Sequence, residues 1–161
     1  MTLSLAHCPG FSKFGFEKNR KGGSVLVRLD KDCNPVSLWH LEPVKGSQYF
    51  SFVINEDYYK DITFGVLGES AKVERVGEFP KDRVCYIGCI SKLCNELELR
   101  KVGPQPIKGD TVTVAVDGSA KMVSFYVNGE LMAGEDLPLA LQERCFFFVG
   151  MATRHNKIRL L

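Results

Sequence analysis

The sequence predicts an all-β fold, a single domain built as a sandwich of two antiparallel sheets, and three observations predict it. Short runs in which apolar and polar residues alternate recur along the chain. Clusters rich in Gly, Pro, Asn and Asp separate them. No window holds a sustained 3.6-residue apolar repeat, which leaves helix little foothold. VSFYVNGELMAG, residues 123–134, carries the first two signals together. Val123, Phe125 and Val127 point to one side of an extended strand and Ser124 and Tyr126 to the other, because strand side chains alternate. Asn128-Gly129 then reverses the chain, since both residues tolerate the positive φ of a tight hairpin.

The other elements follow by the same reading. Extended runs are expected at SVLVRL (24–29), VSLWHL (36–41), QYFSFVI (48–54), DITFGVL (61–67), RVCYIGCI (83–90), NELELRKV (95–102), DTVTVAV (110–116), CFFFVGMA (145–152) and KIRLL (157–161). Phe50, Phe52 and Ile54 share a face, as do Leu97 and Leu99, Val112, Val114 and Val116, and Ile158 and Leu160. Turn clusters lie between these runs at Lys21-Gly22-Gly23, Asn34-Pro35, Gly103-Pro104 and Lys108-Gly109-Asp110. Their spacing suits an antiparallel sandwich better than alternating strands and helices. LALQER, residues 139–144 after Pro138, is the best helix candidate and reaches a turn or two. The single domain is expected to cover 1–161, with an N-terminal extension of about residues 1–23 packed on the sandwich through Phe11, Phe14 and Phe16.

At 161 residues the chain is long enough to bury a core without disulfides or metal. The 21 basic and 19 acidic side chains nearly cancel to +2, so no broad field steers nucleic acid or an anionic membrane towards it. A protein or peptide partner fits this balance better. MTLSLAHCPG has neither the basic start nor the apolar run of a secretory signal, and CFFFVGMA is too short to span a bilayer. Six cysteines are too sparse for a disulfide scaffold, and no Asn-x-Ser/Thr sequon occurs. The expected location is intracellular, in the cytoplasm.

Candidate chemistry is thin. Cys85, Cys89 and Cys94 are thiols close in sequence, but Cys85 and Cys89 fall within an apolar strand pattern beside Ile87 and no second ligand pair follows, so they read as small core residues. His7, His40 and His155 are scattered, and no Ser or Cys sits in a nucleophile-elbow sequence. Asp30, Asp32 and Asn34 alternate like calcium-loop ligands without the glycine and distal glutamate such a loop needs. No catalytic residue, cofactor site or metal site is assigned.

Four pieces occur in a particular order: QYFSFVI, DITFGVL, GDTVTVAVD followed by VSFYVNGEL, and CFFFVGMATRHNKIRLL. The order resembles the SPRY/B30.2 family, whose members carry a "YFEV" strand, an "IGV" strand, a Gly-Asp that opens a strand, an "SFxxNG" hairpin and a closing aromatic strand. Here these are Tyr49 to Val53, Phe64 to Val66, Gly109-Asp110, Ser124-Phe125 with Asn128-Gly129, and Phe146 to Val149. The resemblance covers about residues 36–161 and is strongest from Gly-Asp to Asn-Gly. Residues 36–54 also look like the related Neuralized-type repeat. Residues 67–109 depart from the pattern, and the PRY extension of a full B30.2 unit is not recognisable. The resemblance implies a concanavalin A-like jelly roll of SPRY type that binds peptides or protein surfaces through loops at one end, without catalysis or cofactor.

Tyr and Arg supply many interface anchors, and loops on a rigid scaffold commonly carry them. The expected protein-binding residues are Tyr58 and Tyr59 in NEDYYKD, Arg75, Phe79 and Arg83 in VERVGEFPKDRV, and Arg154 and His155 in ATRHNK. Trp39, the single tryptophan, is expected in the core. The leading function is a non-catalytic adaptor module in a chain that could belong to a longer multidomain protein. A galectin-like lectin is the alternative and requires an outward, accessible Trp39. An enzyme with a cysteine nucleophile is a third reading, marked by one selectively reactive thiol.

Overall fold

The computed structural model describes residues 14–18, 24–29, 36–40, 42–57, 60–72, 82–151 and 153–161. Thirteen strands lie among them: β1 (Phe14–Lys18), β2 (Ser24–Arg28), β3 (Val36–Trp39), β4 (Gln48–Glu56), β5 (Thr63–Leu67), β6 (Arg83–Ile87), β7 (Lys92–Asn95), β8 (Glu98–Lys101), β9 (Thr111–Asp117), β10 (Met122–Val127), β11 (Glu130–Asp136), β12 (Phe146–Met151) and β13 (Lys157–Leu160). One sheet has the order β1-β2-β13-β4-β9-β10-β11 and the other β3-β12-β5-β6-β7-β8. All pairings are antiparallel. The β-sandwich expected from the alternation is therefore the fold, and a short helix, α1 (Leu139–Glu143), follows Pro138.

Aromatic side chains join the sheets. Phe50 of β4 stacks on Phe147 of β12 with ring centroids 6.1 Å apart. Phe64 of β5 meets Phe52 edge-on at 5.5 Å and lies 5.4 Å from Tyr86 and 6.1 Å from Phe125. These offset and edge contacts add to the free energy of burial. Every residue of β12 is buried, and β12 lies between β3 and β5 inside its sheet. Trp39 is buried as well, although the register places it beside Phe148 on the outer face of its sheet.

Three expectations change. Part of the segment read as an N-terminal extension, Phe14–Lys18, is an edge strand paired with β2. RVCYIGCI is not one strand: β6 stops at Ile87, a 3-10 turn takes Gly88–Ile90, and Cys89 is exposed instead of sharing a face with Cys85. NELELRKV also divides. Asn95 ends β7, Glu96 turns with φ of 55°, and Leu97 and Leu99 are exposed in an edge hairpin.

The opening hairpin forms as expected, with Asn128 and Gly129 at φ of 51° and 80°. β10 and β11 slip register after Phe125, leaving Met132 as the extra residue of a bulge, so Met132 and Ala133 are both buried despite adjacency. Asn128 also clasps Asp110. Its Nδ2 donates to Asp110 Oδ1 at 2.9 Å, and its Oδ1 accepts the Thr111 amide at 2.9 Å. The other oxygen of Asp110 accepts the Ile107 amide. The Gly-Asp and Asn-Gly motifs are thus two halves of one structural lock. Asn128→Ala is expected to cost about 2–3 kcal/mol, combining left-handed strain with lost hydrogen bonds. Asn128→Gly, which keeps the backbone freedom, is expected to cost about 1 kcal/mol less. Urea unfolding of both variants checks the order, and an alanine variant as stable as the glycine one would contradict it.

Candidate functional site

Strand direction sorts the loops between two ends of the sandwich. β4 and β10 run towards the Asn128-Gly129 turn, whereas β9 and β13 run away from it. The β4–β5 loop (57–62), the β6–β7 turn (88–91), the β8–β9 loop (102–110) and the β12–β13 loop (152–156) therefore share the hairpin end. The β5–β6 loop (68–82) and the β11–β12 connection lie at the opposite end.

A polar network ties two loops of the hairpin end together. Asp61 accepts hydrogen bonds from the Thr153 hydroxyl and from Asn156 Nδ2. The His155 amide donates to the Arg28 carbonyl at 2.9 Å, and the Arg28 amide donates to the Asn156 carbonyl at 3.2 Å. Beneath them the guanidinium of Arg28, fully buried, donates from Nη1 to the Met151 carbonyl at 2.6 Å. With Asn156 also buried, Arg154 and His155 are left exposed at the tip. His155 reaches that position with φ of 70°.

Beside this tip is a cleft. It is small, and Asp57, Lys60, Phe64, Tyr86, Gln105 and Pro106 are among its lining residues. Asp57 Oδ1 accepts the Asp61 amide at 3.1 Å, which closes the start of the loop. Gly88 lies against the same loop: a Cβ there would come within 2.3 Å of the Lys60 carbonyl oxygen and 2.6 Å of that of Ile62. Only glycine lets the two segments approach so closely. Ile90 and Ile107, both exposed, add apolar surface in neighbouring loops.

Burial pushes the Asp57 carboxyl above its ordinary value, partly offset by the Asp61 amide. The folded chain therefore holds this proton to higher pH than the unfolded chain does. Stability falls as pH rises between the two values, and the penalty persists at neutral pH. Asp57→Asn is expected to raise Tm at about pH 7 and to lose that advantage below the ordinary aspartate value of 3.8. Thermal melts of both proteins across that range test it. A Tm difference that does not change with pH would refute the assignment.

No protein-family model matches the chain, and no curated protein matches its sequence. Solved structures do match it. The SPRY domain of human HERC1 superposes with a TM-score of 0.67 at 18% identity, over 92% of this chain and 94% of that one. A human SPRY domain gives 0.72 at 19% identity, over 91% and 96%. The PSpry domain of TRIM65 gives 0.64 at 11% identity, over 92% and 89%. The chain has the SPRY fold.

Within the SPRY frame the expected binding residues do not form one group. Arg154 and His155 stand together at the hairpin end. Tyr58 and Tyr59 lie outside the described residues, between Asp57 and Lys60 of the same end. Arg75 and Phe79 also lie outside the described residues. Arg83 lies, as expected, at the junction of a loop and the strand RVCYIGCI. It begins β6 at the opposite end, half-buried, with its guanidinium 5.3 Å above the Phe148 ring and Nη2 donating to the Ala71 carbonyl at 3.0 Å. Its sequence neighbours signal a loop, and the partner that draws it inward is 65 residues away.

Arg28 and Asp61 were not singled out from the sequence. Asp61 opens a predicted strand and Arg28 sits within one, positions where a charge reads as solvated. Their role depends on Met151, Thr153 and Asn156, which approach only when β13 inserts between β2 and β4. Burial pushes the Cys145 thiol up to about 11, so this cysteine does not supply a reactive thiolate at neutral pH.

Proposed function

We propose that this SPRY-fold chain is a non-catalytic protein-interaction module that takes a peptide or protein surface across its hairpin end. SPRY domains typically bind proteins or peptides. The observation that carries the reading here is the junction at Asp61. It ties Asp61, next to the segment that carries Tyr58 and Tyr59 in the sequence, to Thr153 and Asn156, which flank the exposed Arg154 and His155. Preorganised loops lose less entropy on binding than free ones.

The lectin alternative is weaker. Sugar stacking needs an open indole face, and Trp39 is only 8% exposed. Selection of a displayed peptide library on the immobilised protein tests the proposal. One enriched motif is expected, losing about tenfold in affinity with Arg154→Ala or Tyr59→Ala, as an interface anchor does. Arg83→Ala, at the opposite end, serves as the comparison. Failure to enrich any motif, or enrichment indifferent to Arg154 and Tyr59, would move the site elsewhere.

A further inference from the structure

The outer face of the second sheet carries a row of directly paired residues: Trp39, Phe148, Gly65, Cys85, Cys94 and Leu99. Cys85 of β6 is the register partner of Cys94 of β7, and both are fully buried. Directly paired antiparallel residues have Cα atoms about 4.5–5.5 Å apart, within the roughly 4.4–6.8 Å that a disulfide spans. The Arg83 guanidinium, clamped between Phe148 and the Ala71 carbonyl, acts electrostatically on both sulfurs. Gly65 is the register partner of Cys85 on the other side, and a Cβ there would come within 2.7 Å of the Cys85 Cα, so β5 lies close against the cysteine strand.

We propose that Cys85 and Cys94 form a reversible dithiol–disulfide site that peroxide oxidises. Cys94 lies on β7 beside the exposed edge strand β8, nearer to solvent than Cys85 on β6, so Cys94 is the nucleophile and Cys85 the resolving thiol. The directions agree: the adjacent Cys85 thiol, helped by Arg83 and opposed by burial, holds Cys94 below its ordinary value, whereas Cys94 and burial push Cys85 up. The Cys94 thiolate attacks one oxygen of hydrogen peroxide, the O–O bond breaks, and hydroxide leaves and is protonated to water. The Cys85 sulfur then attacks the Cys94 sulfenic acid, the S–O bond breaks, and the departing hydroxide leaves as water with the Cys85 proton. Two thiols and one peroxide become one disulfide and two waters.

Access comes from the sheet edge. Only β8, whose four residues are all exposed, lies outside β7, and edge strands open locally at lower cost than the whole fold. Oxidation replaces the contact in which the Cys94 sulfur donates to the Glu96 carbonyl at 2.8 Å.

Peroxide titration of the native chain, followed by alkylation of free thiols under denaturing conditions and tryptic mass mapping, tests the site. The expected product joins peptides 84–92 and 93–100 and disappears on reduction. The first peptide also contains the exposed Cys89, so the titration is repeated with Cys89→Ser, which is expected to retain the product. Loss of the product in that variant would show that Cys89, not Cys85, is the partner. Cys85 and Cys94 both remaining alkylatable after Cys89 is oxidised would also overturn the proposal.

Discussion

Gly65→Ala is expected to leave no stably folded protein. A Cβ at Gly65 would come within 2.1 Å of the Val84 carbonyl oxygen and 2.7 Å of the Cys85 Cα, and φ there is +158°. These are backbone atoms of the neighbouring strand, so no rotamer change relieves the overlap. β5 must move away from β6, and β5 also carries Phe64, which contacts three other aromatic rings across the core. Such a change is expected to cost more than about 4 kcal/mol, much of the margin of a domain with about 5–15 kcal/mol in all. Soluble yield and urea unfolding measure it. Gly46→Ala is the comparison: φ is +61° but nothing lies within 4 Å of the added carbon, so about 1 kcal/mol is expected. Equal midpoints for the two variants would show that the sheet tolerates the overlap.

Arg28→Met is expected to destabilise the chain by about 3 kcal/mol and to loosen the loop carrying Arg154 and His155. Methionine fills much of the space but offers no donor to the Met151 carbonyl, which Arg28 now meets at 2.6 Å in a fully buried position. Removing one partner from a buried charged network costs more than the net contribution of the interaction, because the remaining polar groups stay desolvated. Hydrogen exchange separates the global effect from the local one. Amides of residues 153–156 are expected to lose more protection than those of the β9–β10 pair. Uniform loss would mean that Arg28 supports the fold without selectively holding the loop.

Much of the sandwich is legible in the sequence, and particular residues show why. In β4, β9 and β10 the alternation of Phe50, Phe52, Ile54, Val112, Val114, Val116, Val123, Phe125 and Val127 matches residues that are all buried. A strand with one face in the core must alternate, so the pattern marks both the strand and its orientation. The stretch from Arg83 to Val102 is harder to read. Its apolar residues serve both faces of a sheet and two turns, and the positive φ at Ser91 and Glu96 falls on residues that carry no turn signature. Among the expected binding residues, Arg154 and His155 lie in a recognisable loop and are exposed. Arg83 stands at the start of a predicted strand, and nothing near it in sequence signals that it packs on Phe148.

The sequence by itself determined which segments extend, which side chains of a strand face together and where Asn128-Gly129 turns the chain, since these depend on residues within a few positions of one another. Only the tertiary structure decided that β13 inserts between β2 and β4, that Asp61 meets Thr153 and Asn156, that Cys85 lies beside Cys94, and that Arg83 stands at the end opposite Arg154 and His155. Alternation specifies a face but not the neighbour across it. That neighbour is chosen by the packing of the whole sandwich, where each buried polar group must find a partner and each ring a space.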